Sequence, residues 1–167
     1  MTALHEQVWR TLEQIPDPEL PISIVDLGIV QHVEEADGHV LVTLIPTFVG
    51  CPALNVVQDE IRRQVGLLPG VAQVTVLFRY DPPWTPERMS DRGRRTLKQL
   101  GVGVPDRSSC IGVRVAAGQT TKPDRPVPCP WCDSTNTELS SAFGPQRCRM
   151  VYYCRDCKKP FEQFKSM

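Results

Sequence analysis

Two pairs of cysteines near the C-terminus have the spacing that most clearly indicates chemistry in this sequence. Cys129-Pro-Trp-Cys132 and Cys154-Arg-Asp-Cys157 are C-x-x-C pairs with 21 residues between them. Two residues between thiolates let one tight turn present both sulfurs to a single ion, and two such turns complete a tetrahedron. The gap is only slightly longer than the usual spacing of about 15–20 residues. We therefore predict that Cys129, Cys132, Cys154 and Cys157 bind one metal, with short strands between the pairs, as in a zinc ribbon.

The identity of that metal and the role of a fifth cysteine, Cys148, stay open at this level. Thiolate sets of this kind suit zinc and iron–sulfur clusters alike. Cys148 either replaces one ligand, lies beside the metal, or is a buried thiol without a metal role. Residues 126–167 are too few for a stable core of their own, so we expect a structural metal, zinc in the first instance, to support this segment.

The same segment has two competing interpretations. Basic residues alternate with aromatic ones, which suits phosphate contact and base stacking by a nucleic-acid-binding ribbon. We favour the alternative that the aromatics form the small core of the ribbon, because the acidic first half of the chain would repel nucleic acid. A thioredoxin-like redox pair needs a helix after its first cysteine, whereas polar residues 133–136 follow the first pair here.

Cys51 lies at a predicted junction between a strand and a helix, in the sequence Thr47-Phe48-Val49-Gly50-Cys51-Pro52. A thiol there meets free backbone N–H groups and the positive end of the helix, and both should lower its pKa. Cys51 is therefore a candidate ligand for a metal or cluster, and the alternative is a small buried residue. Asp17, Glu19 and Asp26 either lie near Cys51 or act as turn and capping residues.

Apolar periodicity and turn residues predict the elements that position these cysteines. The predicted elements are an amphipathic helix at 3–14, strands at 28–34 and 39–45 joined by an Asp37-Gly38 turn, a helix at 52–65, a strand at 71–80, and a basic helix at 86–100 with Gly93 as its weak point. The fold class is α+β, a small three-stranded sheet with helices packed on it, followed by a zinc-ribbon-like four-cysteine module.

The predicted domain boundaries follow from composition. We expect a first domain at 1–105, a linker or wrapping segment at 106–125 without clear periodicity, and a cysteine-rich metal ribbon at 126–167. Cys110 in the linker has no partner nearby in the sequence, and we assign it no role.

Composition and charge exclude several classes of protein. The 167 residues have a formal net charge of zero, which argues against a globally basic nucleic-acid binder. The zero is the sum of two halves of opposite charge. Residues 1–80 contain ten acidic and four basic residues, and residues 81–167 contain an equal excess of basic over acidic residues. The apolar runs are too short for a membrane span, and the first residues lack a hydrophobic signal region. Seven cysteines, an odd and clustered set, indicate a reducing compartment, so we expect a cytoplasmic protein.

Several short motifs resemble a known family. The first part of the chain resembles the small α/β domain of metal–sulfur cluster assembly factors, the SufT-like family. The residues that carry this resemblance are Asp17-Pro18-Glu19, Val25-Asp26-Leu27-Gly28-Ile29-Val30, Thr47 with Gly50-Cys51-Pro52, Leu68-Pro69-Gly70-Val71, and Pro83-Trp84 before Met89-Ser90. The C-terminal part resembles the extension found in the PaaD family of the bacterial aerobic phenylacetate pathway. Its matching residues are the two C-x-x-C pairs, Phe143-Gly144, Cys148, Pro160-Phe161 and Phe164-Lys165.

The resemblance implies a maturation factor rather than an enzyme. It implies help in assembling or inserting iron–sulfur clusters for the phenylacetyl-CoA ring-epoxidising oxygenase system, with the [2Fe–2S] reductase as the expected partner. Cys51 would then handle iron or a cluster transiently, with Asp26 or Thr47 shaping its pocket. No nucleotide loop, nucleophile–base pair or second catalytic metal motif supports independent turnover. The alternatives are a non-catalytic structural subunit of the oxygenase and a nucleic-acid-binding ribbon; a homodimer is also compatible with the sequence.

Overall fold

The computed structural model describes residues 3–104, 115–116, 119–120 and 127–165. The chain divides into two compact units, which are described separately. The first unit contains Met1–Trp84 and Arg88–Gly93, and the second contains Thr85–Glu87 and Arg94–Met167. Most of the predicted linker at 106–125, including Cys110, lies outside the described residues. In the part of the chain that the structure describes, no helix is long and apolar enough to cross a membrane.

The first unit is built on a three-stranded sheet in the order β1-β2-β3. Strands β1 (Val30–Ala36) and β2 (His39–Leu44) are antiparallel, and β3 (Gln73–Phe78) runs parallel to β2. The turn between β1 and β2 has positive φ at both central residues, 49° at Asp37 and 78° at Gly38. Such a turn matches the twist of the strands that it joins, so the predicted hairpin is confirmed.

Two helices supply the apolar residues that cover this sheet. Helix α1 (Ala3–Leu12) buries Val8 and Leu12, and helix α2 (Ala53–Val65) buries residues at helical spacing. These are Val57, Ile61 and Val65. On β2, Val40, Val42 and Leu44 are fully buried. The buried residues of the helices follow the helical period and those of β2 follow the alternation of a strand. Both helices and the sheet are where the sequence predicts them.

The segment after the sheet differs from the single basic helix predicted at 86–100. A 3-10 turn (Pro86–Arg88) is followed by a separate helix α3 (Asp91–Gln99). Ser90 breaks the segment, because its Oγ accepts the N–H of Gly93 at 2.9 Å and thus caps α3. Gly93 is not a weak point: a Cβ there would lie 2.8 Å from the Asp26 carbonyl oxygen, so glycine permits the close approach.

The second unit contains a four-stranded sheet in the order β4-β9-β8-β7. Strands β7 (Thr137–Ser141), β8 (Arg149–Cys154) and β9 (Pro160–Phe164) are antiparallel neighbours. Strands β7 and β8 confirm the strands predicted between the cysteine pairs, and β9 follows the second pair. Strand β4 (Val102–Gly103) adds to β9 in parallel. Its two residues are too short to show a period in the sequence. A further two-stranded hairpin joins β5 (Val115–Ala116) and β6 (Gln119–Thr120).

The core of the second unit lies on one face of its sheet. Met150, Tyr152 and Cys154 alternate along β8 and pack with Phe161 and Cys129. The Tyr152 and Phe161 rings are stacked with their centroids 5.6 Å apart. The aromatic residues that could have stacked on bases are therefore largely core residues, as the favoured interpretation of the sequence predicts.

Candidate metal centre and the Cys51 site

One group of cysteines among the described residues has the geometry of a metal site. The Sγ atoms of Cys129, Cys132, Cys154 and Cys157 all lie within 4.8 Å of one another. The Sγ–Sγ distance is 3.7 Å between Cys129 and Cys157 and 3.6 Å between Cys132 and Cys154. Four sulfurs placed tetrahedrally about 2.3 Å from zinc would be roughly 3.8 Å apart. The quartet therefore fits one ion of that size, and the structure brings together the four cysteines that the spacing predicts.

The two C-x-x-C turns have the same backbone hydrogen bonds although their side chains differ. The N–H of Asp133 donates to the Cys129 carbonyl at 2.9 Å, and the N–H of Lys158 donates to the Cys154 carbonyl at 3.0 Å. Each first cysteine also donates its N–H to the carbonyl five residues later, at 2.9 and 3.0 Å. Asp133 and Lys158 have φ of 58° and 60°, a conformation that few non-glycine residues adopt. The repeated geometry places two sulfurs on the same side of each turn.

Backbone N–H groups also donate to the sulfurs themselves. The Sγ atoms of Cys129 and Cys154 each accept the N–H groups of the residues two and three positions later. The N–H of Cys157 is the main reason that the pKa of Cys154 falls to about 7. Burial raises the pKa of Cys129, and burial together with the neighbouring sulfurs raises that of Cys157 to about 12. Four thiolates this close need a cation between them, because their mutual repulsion otherwise keeps protons on the cluster.

Cys148 does not join this group. It is buried at the start of β8, where its carbonyl accepts the N–H of Lys165 at 2.9 Å. Cys154 lies at the other end of β8, and six residues of strand span about 20 Å. Of the alternatives for Cys148, this position favours a buried thiol over an additional ligand or neighbour of the metal. An extended strand separates it from the quartet, and the alternative of a buried thiol without a metal role fits its position.

Cys51 lies directly before α2 in the first unit and is half-buried. Its Sγ accepts hydrogen bonds from the N–H groups of Ala53 and Leu54, as expected at the start of a helix. Burial nevertheless raises the pKa of the Cys51 thiol, and the carboxylates of Glu19 and Asp17 raise it further. Together these effects outweigh the N–H groups. The predicted lowering of this pKa is wrong in its net direction, because local sequence does not reveal burial or acids supplied by another loop.

The loop that carries these acids is fixed by its own hydrogen bonds. Asp17 accepts the N–H of Glu19 on its carboxylate at 2.9 Å and donates its own N–H to the Ile22 carbonyl at 2.8 Å. The two alternatives drawn from the sequence, a turn role and a position near Cys51, are therefore both correct for this loop. Asp17 shapes a turn, and both carboxylates act on Cys51.

Asp26 and Thr47, the two residues expected to shape the Cys51 pocket, lie in different settings from each other. Both carboxylate oxygens of Asp26 are hydrogen-bonded: Oδ1 accepts from Ser90 Oγ at 2.5 Å and Oδ2 accepts from Arg92 Nε at 2.7 Å. Burial raises the pKa of Asp26, but these bonds outweigh burial and hold it below its ordinary value. Asp26 thus holds the segment before α3 in place. Thr47 lies half-buried in the bend between β2 and Cys51.

Comparisons with known proteins agree with this two-part architecture. Residues 5–76 match the model of a family described as an iron–sulfur cluster assembly protein, and residues 115–165 match the PaaD zinc beta ribbon domain. A relative from Escherichia coli K12, named provisionally as a 1,2-phenylacetyl-CoA epoxidase subunit, is 36% identical over 97% of this chain and 92% of its own length.

Two further relatives match the first part alone. The Fe-S protein maturation auxiliary factor YitW of Bacillus subtilis is 39% identical over 53% of this chain and 87% of its own length. A crystal structure of a DUF59 domain of unknown function from Bacillus anthracis is 30% identical and covers 57% of this chain and 92% of that one, with a TM-score of 0.54. These likenesses cover the region that contains Cys51.

An iron–sulfur assembly domain joined to a zinc ribbon defines the class of protein: an auxiliary factor of iron–sulfur protein maturation. Within that class, the chain belongs to the PaaD family, as its match along nearly the whole length of the Escherichia coli relative shows. The resemblance drawn from the sequence motifs is confirmed.

Proposed function

We propose that this protein assists the assembly or insertion of iron–sulfur clusters in a phenylacetyl-CoA ring-epoxidising oxygenase, with the [2Fe–2S] reductase component as recipient. The name of the Escherichia coli relative supports the oxygenase system. Relatives of the first part are named as Fe-S maturation and iron–sulfur carrier proteins, which supports an accessory role rather than catalysis. The protein would act through contact with partner proteins.

The four-cysteine cluster would hold a permanent structural zinc. Cys129, Cys132, Cys154 and Cys157 would be its ligands, and the Sγ–Sγ distances near 3.7 Å support this assignment. Zinc bound by four thiolates has no open position and no redox chemistry, so it stabilises a fold. The ribbon has a small core, and metal binding would contribute to its folding free energy.

The observation that carries the proposed function is the setting of Cys51. Its sulfur meets two N–H groups at the start of α2 and lies within electrostatic reach of Glu19 and Asp17. The two carboxylates attract a cation and raise the thiol pKa, so the empty site keeps its proton. An incoming iron ion, the cargo, would displace that proton. Because proton and iron compete for the same sulfur, the site would bind iron and also release it. Thr47 would border it, and Asp26 would support it by stabilising the first unit through Ser90 and Arg92.

Co-production of the reductase with this protein tests the proposal. Reductase purified without oxygen is compared for iron and acid-labile sulfide after co-production with wild-type protein or with Cys51→Ala. We expect a full cluster content with wild type and a strong loss with the variant. Cys148→Ala is the matched control and should retain the wild-type effect. A fully loaded reductase alongside Cys51→Ala would contradict the proposed role of Cys51.

The structural-subunit alternative predicts that the Cys51→Ala protein still copurifies with the oxygenase and leaves reductase loading intact. The nucleic-acid alternative is disfavoured by the burial of Tyr152, Phe161 and Phe164. It predicts salt-dependent binding that neutralising the exposed residues Arg155, Lys158 and Lys159 would abolish. A homodimer stays a prediction, which sedimentation at several protein concentrations tests.

A further inference from the structure

Asp156 lies inside the second C-x-x-C turn but is not one of the cysteines. We propose that Asp156 is a positioning residue for the metal quartet, and that its side chain controls how fast metal leaves. The inference rests on the zinc site of the proposed function and concerns how the site is held closed. Three hydrogen bonds of Asp156, two from its side chain and one from its backbone, carry it.

The carboxylate of Asp156 ties the second turn to the chain that follows the first turn. Oδ2 accepts a hydrogen bond from Ser134 Oγ at 2.5 Å, and Oδ1 accepts one from Asn136 Nδ2 at 2.7 Å. The Ser134 hydroxyl oxygen in turn accepts the backbone N–H of Asn136 at 3.0 Å. The next residue back, Arg155, donates its N–H to the Asn136 carbonyl at 2.9 Å. Both carboxylate oxygens are therefore engaged across the gap between the two turns.

The backbone of Asp156 touches the metal site directly. Its N–H donates to Sγ of Cys154, one of the four ligands. Because one residue contacts a ligand sulfur through its backbone and the opposite turn through its side chain, the side-chain bonds fix the direction of the N–H group. Hydrogen bonds of this outer kind orient metal ligands and tune their binding.

The matching position of the first turn makes a different and longer contact. That position is occupied by Trp131, whose indole Nε1 donates to the Pro160 carbonyl at a long 3.4 Å and whose ring packs on Gly101. The two turns have the same backbone but only the second is tied across the site by a carboxylate. We infer that metal release requires the second turn to move away from the residues after the first, and that the Asp156 bonds resist this motion.

Metal release from the full-length, zinc-loaded protein tests this inference. Zinc transfer to an excess of a chromogenic chelator is followed over time for wild type and for Asp156→Ala. Losing such outer contacts typically costs about 10–100-fold in metal affinity, and we expect faster release to account for most of it. Ser134→Ala and Asn136→Ala each remove one of the two side-chain bonds and should accelerate release to a smaller extent.

Asp133→Asn is the matched control for Asp156→Asn. Asp133 is an exposed aspartate just after the first turn whose carboxylate pairs with Lys98 at 2.6 Å. Asparagine also tolerates the positive φ at position 133. Both variants remove one negative charge, so a purely electrostatic effect would change both release rates alike. We expect faster release only for Asp156→Asn.

The cobalt-substituted protein supplies a second measurement, which general loss of stability would not change. Asp156→Ala should shift the thiolate-to-cobalt and d–d absorption bands, since the ligand geometry depends on the bonds that it removes. Release rates equal to wild type in Asp156→Ala, or in both single-bond variants should Asp156→Ala not fold, would overturn the inference. A wild-type protein without thiolate-to-cobalt bands would overturn the zinc assignment as well, whereas normal wild-type bands with unchanged variant rates would overturn the role of Asp156 alone.

Discussion

The four-cysteine cluster and Cys51 use the same side chain in opposite settings. In the cluster, four sulfurs converge within 4.8 Å and each first cysteine accepts two backbone N–H groups. At Cys51, a single sulfur accepts two N–H groups and lies within electrostatic reach of two carboxylates. The helix start and the C-x-x-C turn therefore offer similar donors to sulfur. What differs is the number of thiols within reach and the charge around them.

That difference underlies the two proposed roles, a permanent structural metal at the cluster and transient iron at Cys51. Four thiolates complete a closed tetrahedron and leave no position for exchange. One thiol within electrostatic reach of two acids attracts a cation but provides too few soft ligands to retain it, so a partner could complete or remove the coordination. We therefore propose one site for a permanent metal and another for a transient one. Variants that act on one site and spare the other test this contrast.

The largest effect is expected from removing a cluster cysteine. Cys154→Ser should abolish tight zinc binding and unfold residues 127–165, because structural zinc contributes about 10–16 kcal/mol of apparent binding free energy in small zinc domains. Amide hydrogen exchange with metal analysis would show this loss. Protection in β1, β2 and β3 should persist. Retention of one zinc per chain and of protection in β8 would contradict the assignment of Cys154 as a ligand.

A smaller effect is expected at Asp26, which supports the first unit without touching metal. Asp26→Asn should destabilise this unit by about 1.5–3 kcal/mol, as for hydrogen bonds to a charged group, with the exposed Arg92 contributing little of it. Chemical denaturation followed by tryptophan fluorescence measures the change, because the buried Trp84, which donates to the Leu27 carbonyl, contributes to this signal. Zinc content should not change.

The pH dependence of Asp26 has a definite sign. Its pKa is held below 3.8 in the folded protein, so its contribution is present above the unfolded pKa and is lost as pH falls through the folded pKa. Wild-type stability should therefore fall more steeply than that of Asp26→Asn as the solution is acidified below about pH 4. Parallel curves for the two proteins would contradict the role assigned to the carboxylate.

The acids beside Cys51 should have a measurable effect on its reactivity. Glu19 and Asp17 raise the pKa of the thiol, so Asp17→Asn with Glu19→Gln should lower it and increase the thiolate fraction near neutral pH. We expect severalfold faster alkylation of Cys51 by iodoacetamide, resolved by peptide mass spectrometry. Glu34→Gln, which removes an exposed acid on β1, is the control. An unchanged rate in the double variant would show that burial alone sets this pKa.

Much of the contrast between the four-cysteine cluster and Cys51 could be predicted from the sequence, because the motifs that determine it are local. The spacing of the C-x-x-C pairs predicts the quartet, and the position of Cys51 before Pro52 predicts a thiol at a helix start. The Asp37-Gly38 turn predicts the hairpin. In each case neighbouring residues determine the geometry, so no knowledge of distant contacts is needed.

The features that could not be predicted depend on contacts between distant parts of the chain. The raised pKa of Cys51 requires the loop at Asp17 and Glu19, more than thirty positions away. Ser90 interrupts the predicted helix because its N–H and Oγ both bond to Asp26. The tie between Asp156 and Ser134 joins residues 22 positions apart. Periodicity and spacing contain no information on such pairs.

The smallest expected effect concerns Cys148, the cysteine that resembles a ligand in sequence but not in space. Cys148→Ala should leave the zinc stoichiometry and the cobalt absorption bands unchanged, because β8 separates this residue from the quartet by about 20 Å. A modest loss of stability is expected instead, since a buried sulfur is removed. Metal analysis beside thermal unfolding distinguishes the two effects. Loss of zinc with no change in unfolding would place Cys148 at the metal and contradict the assignment of the ligands to the closed quartet alone.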